Sequence, residues 1–131
     1  MTPKSLLLVD DEPALVELLK KFLERNGHRV ESCGNPEDAL LVFKAAPGQF
    51  DLILSDLTLP GMTGEEMIAR MRSLNPRLRA VIASGYPYQP RLQGVEFLQK
   101  PFLPRMLLEM MERIFAAPEN ASAAKSGKGG R

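Results

Sequence analysis

The sequence predicts an α/β fold, a five-stranded parallel sheet covered by helices on both faces. Two observations carry this. Short apolar runs alternate along the chain with stretches whose apolar residues recur at helical spacing. The runs are also almost continuously apolar, as strands buried on both faces are.

Ser5 to Val9 is the first strand, and it stops at Asp10-Asp11-Glu12. Pro13 suits the first turn of a helix. Leu15, Leu18, Leu19, Phe22 and Leu23 then form an apolar stripe, closed by Asn26-Gly27. His28 to Cys33 is a short second strand. Asn35-Pro36 opens the second helix, with Asn35 as N-cap and Ala39, Leu40, Val42 and Phe43 facing inward. Leu52-Ile53-Leu54 leads to Asp56 as the third strand, and a loop through Pro60, Gly61 and Gly64 follows. Met67, Ile68, Met71 and Leu74 mark the third helix, and Ala80 to Ala83 the fourth strand.

The alternation then thins. Only ten residues, Gly85 to Gly94, separate the fourth strand from the fifth, Val95 to Leu98, and they include Pro87 and Pro90. An average helix takes about 10–14 residues before any loop is counted. A full fourth helix is therefore not expected, at most a turn or two around Gln89–Gln93. The last helix carries Met106, Leu107, Met110, Met111, Ile114 and Phe115. The expected domain covers 4–115, and 116–131 is expected to be a flexible polar tail.

The 131 residues fit one domain. Lys and Arg number 17 against 16 Asp and Glu, so charge gives no indication of a nucleic-acid partner. No apolar run reaches the ~18 residues of a membrane span. The single cysteine, Cys33, excludes an internal disulfide and a cysteine-based zinc cluster. A cytoplasmic protein, or a cytoplasmic piece of a longer one, is expected. His28 is expected to be a loop residue and Cys33 a small buried hydrophobe.

Polar groups stand directly after four of the strands: Asp10 and Asp11, Asp56, Ser84, and Lys100. In a parallel sheet these ends share one edge, where ligands bind. Each residue alone has a simpler reading, as a helix cap, a turn residue or a solvated charge. Their convergence is what points to chemistry. Three carboxylates together repel unless a cation sits among them, and oxygen ligands suit Mg²⁺. A hard cation, an ammonium, a hydroxyl and an exposed carboxylate suit phosphoryl transfer, with Asp56 itself as nucleophile. Ser84 Oγ and the Gly85 N–H would bind a phosphoryl oxygen.

Four segments carry a family resemblance: Leu8-Val9-Asp10-Asp11-Glu12; Asp51 to Asp56 with Leu59-Pro60-Gly61-Met62-Thr63-Gly64; Val81-Ile82-Ala83-Ser84-Gly85; and Phe97-Leu98-Gln99-Lys100-Pro101-Phe102. Jointly they resemble the receiver domain of response regulators in two-component signalling. The compact Gly85–Gly94 segment is similar to receivers attached to hybrid histidine kinases. The resemblance implies a flavodoxin-like, doubly wound sheet in the order 2-1-3-4-5. It implies that Asp56 takes a phosphoryl group from a phosphohistidine on a histidine kinase or histidine phosphotransfer protein. Asp11 would bind Mg²⁺ directly, Asp10 mainly through water, and the Thr58 backbone carbonyl would be a further ligand. Lys100 would pair with the phosphoryl group, with Pro101 following in a cis peptide. Ser84 and Phe97 would be the switch pair, although Phe97 also reads as a plain core residue. Thr58 and Tyr86 would flank the path of attacking water.

The expected product is a signalling receiver rather than an enzyme, without direct nucleic-acid or membrane contact, as a monomer or weak dimer. Two other readings stay open. A Mg²⁺-dependent phosphatase with an Asp nucleophile would place a second Asp where Thr58 stands. A phosphorylation-independent pseudo-receiver scaffold would not need the acidic residues that are all present here.

Overall fold

The computed structural model describes residues 1–116. In chain order the elements are β1 (Ser5–Val9), α1 (Pro13–Arg25), β2 (Arg29–Cys33), α2 (Pro36–Ala45), β3 (Leu52–Asp56), β4 (Thr58–Leu59), β5 (Met62–Thr63), α3 (Gly64–Leu74), β6 (Arg79–Ser84), β7 (Val95–Gln99) and α4 (Pro104–Ala116). Of the expected tail, Ala116 ends α4, and the remainder lies outside the described residues.

The main sheet runs in the order β2-β1-β3-β6-β7, and every pairing is parallel. β6 and β7 are the fourth and fifth strands of the expected order. Leu6 to Val9 are all buried, which is why β1 shows no polar alternation. Alternate residues supply two cores. Leu7, Val9, Ile53 and Ile82 face α2 and α3. Leu6, Leu8, Leu54 and Val81 face α1 and α4. Successive strand residues point to opposite faces, so the same short runs serve both layers.

Local chemistry sets the helix ends. Asn35 Oδ1 accepts the Asp38 N–H at 2.8 Å at the start of α2, a cap that contributes about 1 kcal/mol. α3 begins with a reciprocal capping box. Thr63 Oγ1 accepts the Glu66 N–H, and Glu66 Oε1 accepts the Thr63 N–H. Gly27, at φ 92°, ends α1 in the left-handed region, as the Asn26-Gly27 pair predicts.

Residues 85–94 contain no helix, only bends and a turn at Gln93-Gly94. The expected loop after Asp56 is more regular than predicted. β4 and β5 form a two-residue antiparallel hairpin, Thr58 opposite Thr63, reversing through Pro60 and Gly61. Four side chains differ from expectation. Leu18 is 53% and Leu74 46% exposed, although both fall on apolar stripes. His28 is buried at 6% exposure because its Nδ1 accepts the Lys4 N–H at 3.0 Å. Cys33 is half-buried at the end of β2 rather than fully inside, and it packs at the border of the α2–α3 core.

Candidate functional site

The carboxyl ends of the strands are tied together by backbone bonds that continue just past the sheet. The Asp10 N–H bonds Cys33 O at 3.2 Å, the Leu57 N–H bonds Ala83 O at 2.9 Å, and the Lys100 N–H bonds Ser84 O at 2.8 Å. These bonds fix the first residues after β1, β3 and β7 against their neighbours. Side chains from separate parts of the chain are thereby brought to one edge.

Carboxylate oxygens of Asp10, Asp11 and Asp56 lie within 4.8 Å of one another. Lys100 Nζ lies 2.9 Å from Asp10 Oδ2, 3.2 Å from Glu12 Oε1 and 3.6 Å from Asp56 Oδ1. A cavity of about 540 Å³ opens here, lined by Asp56, Thr58, Ser84, Gly85, Tyr86 and Lys100 among others. Of the expected positions, Asp56, Ser84, Gly85 and Lys100 thus line one space, and Asp10 and Asp11 cluster with Asp56 at its edge. Thr58 lines the same cavity from β4. Phe97 does not line it. It sits on β7 opposite Ile82, half-buried against the α2–α3 core. The Lys100–Pro101 peptide is cis, as the resemblance implied.

The loop after Asp56 is positioned by a close backbone approach. The Gly64 N–H bonds Leu57 O at 2.7 Å. A Cβ at Gly64 would fall 2.2 Å from Asp56 O and 2.5 Å from Ser55 Oγ. Ser55 is fully buried and donates its hydroxyl to Asp56 O at 2.8 Å. Glycine is required at 64 by space.

The electrostatics follow from crowding. Burial pushes the Asp56 carboxyl above the usual carboxylate range. Lys100 and the Leu57 N–H oppose this, while Asp10 and Asp11 add to it. Burial pulls the Lys100 ammonium down, but the hydrogen bond and charge of Asp10, with Glu12 and Asp56, more than offset it. The net shift is upward. Lys100 therefore stays charged, and its charge is shared among carboxylates. The donor set is all oxygen and carries excess negative charge, so it fits a hard divalent cation. Ser84 Oγ, buried, accepts the Tyr86 N–H at 3.1 Å. Tyr86 itself is 78% exposed at the rim.

Two acidic residues carry more than the sequence reading gave them. Glu12 appears there only within a motif, yet it holds Lys100. Glu65 was not singled out, yet its carboxylate is buried, one residue after Gly64. It accepts the Tyr88 O–H, the Arg91 N–H, and the Leu92 N–H at 2.7 Å. Burial pushes the Glu65 carboxyl up, but these hydrogen bonds prevail and hold it below the usual range. A sequence signal existed. Glu65, Ile68 and Arg72 share one helical face, so Glu65 extends an inward stripe.

A family profile described as "Response regulator receiver domain" matches residues 6–112. The transcriptional regulator NtrC of Azospirillum brasilense is 31% identical over 136 residues, covering 98% of this chain and 28% of its own length. The chain spans less than half the length of the curated relatives that stand first in similarity. Among solved structures, the receiver domain of the hybrid histidine kinase CckA matches with a TM-score of 0.76 at 28% identity, covering 84% of this chain and 97% of that one. The response regulator TrrA of Thermotoga maritima, solved with Mg²⁺ and a beryllium fluoride, matches with a TM-score of 0.74 at 30% identity, covering 85% and 98%. Among the described residues no helix is long and apolar enough to cross a membrane. With the strand order, the acidic cluster and a profile match over most of its length, the chain belongs to the response regulator receiver domain family of two-component signalling.

Proposed function

We propose that Asp56 is the phosphoacceptor of this receiver and that Mg²⁺ is its cofactor. The observation that carries the reading is the Asp56 carboxylate itself. It stands 3.6 Å from Lys100 Nζ, among the oxygens of Asp10 and Asp11, on the wall of an open cavity. Asp10, Asp11, Asp56 and the Thr58 carbonyl would hold the ion. When bound, it neutralises charge on the phosphoryl oxygens. An Asp56 oxygen attacks phosphorus, the phosphohistidine N–P bond breaks, and the leaving imidazole takes its proton from solvent. The Lys100 ammonium moves its attention from Asp10 to the incoming phosphoryl oxygens, where charge develops. Ser84 Oγ and the Gly85 N–H then hold one of those oxygens.

The donor is a histidine kinase or a histidine phosphotransfer protein. The protein works as a signalling switch, turning over only its own phosphoryl group. Ser84 and Phe97 form the switch pair, with Phe97 able to repack because its ring is only half-buried. The receiver acts in the cytoplasm as a monomer or weak dimer, without direct contact to nucleic acid or membrane.

Incubation with Mg²⁺ and acetyl phosphate tests the reading. Intact mass should rise by one phosphoryl group in the wild type and stay unchanged in Asp56→Asn or in EDTA. An unmodified wild type beside a labelled control receiver would defeat it.

A further inference from the structure

We propose that Glu65 is a positioning residue for Ser84, setting how far Ser84 can move toward a phosphoryl group on Asp56. The inference rests on Asp56 being the phosphoacceptor. It starts from the ten residues that stand where a fourth helix is missing.

That segment is pinned to α3 at two places. Arg72 Nη1 donates to Gln93 O at 2.6 Å and holds its far end. Glu65 holds its middle, through the Tyr88 hydroxyl and the Arg91 and Leu92 amides. Between Ser84 and Tyr88 lie only Gly85, Tyr86 and Pro87. The short link is tightened further, because the Tyr86 N–H is bonded to Ser84 Oγ. Ser84 therefore cannot approach Asp56 without stretching that bond or drawing Tyr86 along. Drawing Tyr86 pulls on Tyr88, and Glu65 resists. Glu65 is itself immobile. It is buried, and it follows Gly64, whose Cα is packed on the Asp56 carbonyl. The clasp and the phosphoryl site thus share one backbone frame but favour different places for the segment. By linkage, weakening the clasp strengthens phosphoryl binding, and phosphoryl binding weakens the clasp.

Beryllofluoride with Mg²⁺ is the probe, its affinity measured by calorimetry on the full chain. Glu65→Gln should bind it about fivefold more tightly than wild type, a usual size for coupling between sites. Tyr88→Phe loses one of the three contacts and should shift affinity the same way by less than Glu65→Gln does. The chain has two tyrosines and no tryptophan, so its intrinsic fluorescence comes from Tyr86 and Tyr88. A phenol donating to a carboxylate is quenched. Wild-type fluorescence should rise on beryllofluoride binding, and Tyr88→Phe should lack that rise.

A merely structural Glu65 would lower the thermal midpoint and leave affinity unchanged or weaker, and that result overturns the proposal. So does a fluorescence rise that persists in Tyr88→Phe. Should Glu65→Gln fail to fold, Tyr88→Phe decides alone. A wild type that binds no beryllofluoride removes the reading of Asp56, and this inference with it. Tight wild-type binding with no effect of either variant removes this inference only.

Discussion

Lys100 leans toward Asp10, not Asp56: its Nζ is 2.9 Å from Asp10 Oδ2 and 3.6 Å from Asp56 Oδ1. The ammonium is the cation around which Asp10, Asp11, Glu12 and Asp56 are arranged among the described residues. Its position offsets the crowding of the carboxylates, and it leaves Asp56 the least firmly paired of its three close partners.

Lys100→Met should therefore destabilise the protein when divalent cations are absent. The lost pairs are partly exposed, so the expected cost is about 1–2 kcal/mol rather than the larger cost of breaking a fully buried pair. Mg²⁺ should restore more stability to the variant than it adds to wild type, because a bound ligand stabilises by its affinity for the folded state. Urea unfolding in EDTA and across a Mg²⁺ series measures both. Equal Mg²⁺ gains in the two proteins would show that Lys100 does not compete with the ion.

Asp56→Asn should act in the opposite direction. Burial, Asp10 and Asp11 raise the Asp56 carboxyl from its ordinary value of 3.8, so its ionisation disfavours the folded state. That cost is absent below the ordinary value, grows as pH rises through the raised folded value, and is complete above it. Replacing the carboxylate by an amide should stabilise the Mg²⁺-free protein at neutral pH. The gain should vanish toward pH 4 and shrink in Mg²⁺. Paired denaturation curves at acid and neutral pH check the sign.

The difference between what was and was not legible in the sequence is the range of the interaction. Asp10, Asp56, Ser84 and Lys100 each follow an apolar strand directly, so a local pattern places them, and parallel topology does the rest. The missing helix was legible too, as a count of ten residues with two prolines. Glu65 was not. Beside Glu66 in the first turn of α3 it reads as an ordinary acidic residue favoured by the helix dipole. Its partners lie 23 to 27 residues away, in a segment with no periodicity. The β4–β5 hairpin was hidden because two-residue strands carry no alternation to detect. Leu18 and Leu74 misled for the converse reason, since helical spacing marks a face without saying how far the opposing layer extends.

Gly64→Ala tests the close approach behind Asp56. The added Cβ meets backbone, Asp56 O at 2.2 Å, and the buried Ser55 Oγ at 2.5 Å, so neither neighbour can simply swing aside. Either α3 or the end of β3 must shift. The expected cost is about 2–3 kcal/mol, in the range of overpacking substitutions. Phosphorylation by acetyl phosphate should slow as well, since the Asp56 backbone is the part displaced. Stability loss without a change in phosphorylation rate would place the strain entirely on the α3 side.

His28 supplies a pH dependence away from the acidic cluster. It is the chain's one histidine, buried at 6% exposure, with Nδ1 accepting the Lys4 N–H. Burial lowers its pKa, and the N-terminal amine and the Lys4 ammonium lower it further. The unfolded chain therefore takes up the proton first as pH falls. Stability should be full above the ordinary value of 6.5 and drop as pH falls from there through the lowered folded value. Protonating Nδ1 also ends its role as acceptor for the Lys4 amide, so the loss should reach about 1 kcal/mol or more. His28→Gln keeps an acceptor and cannot titrate. Its stability should be flat between about pH 7 and pH 5.5, where no other side-chain type ordinarily titrates. A wild-type curve equally flat over that interval would show that the Lys4 contact yields to solvent before the imidazole does.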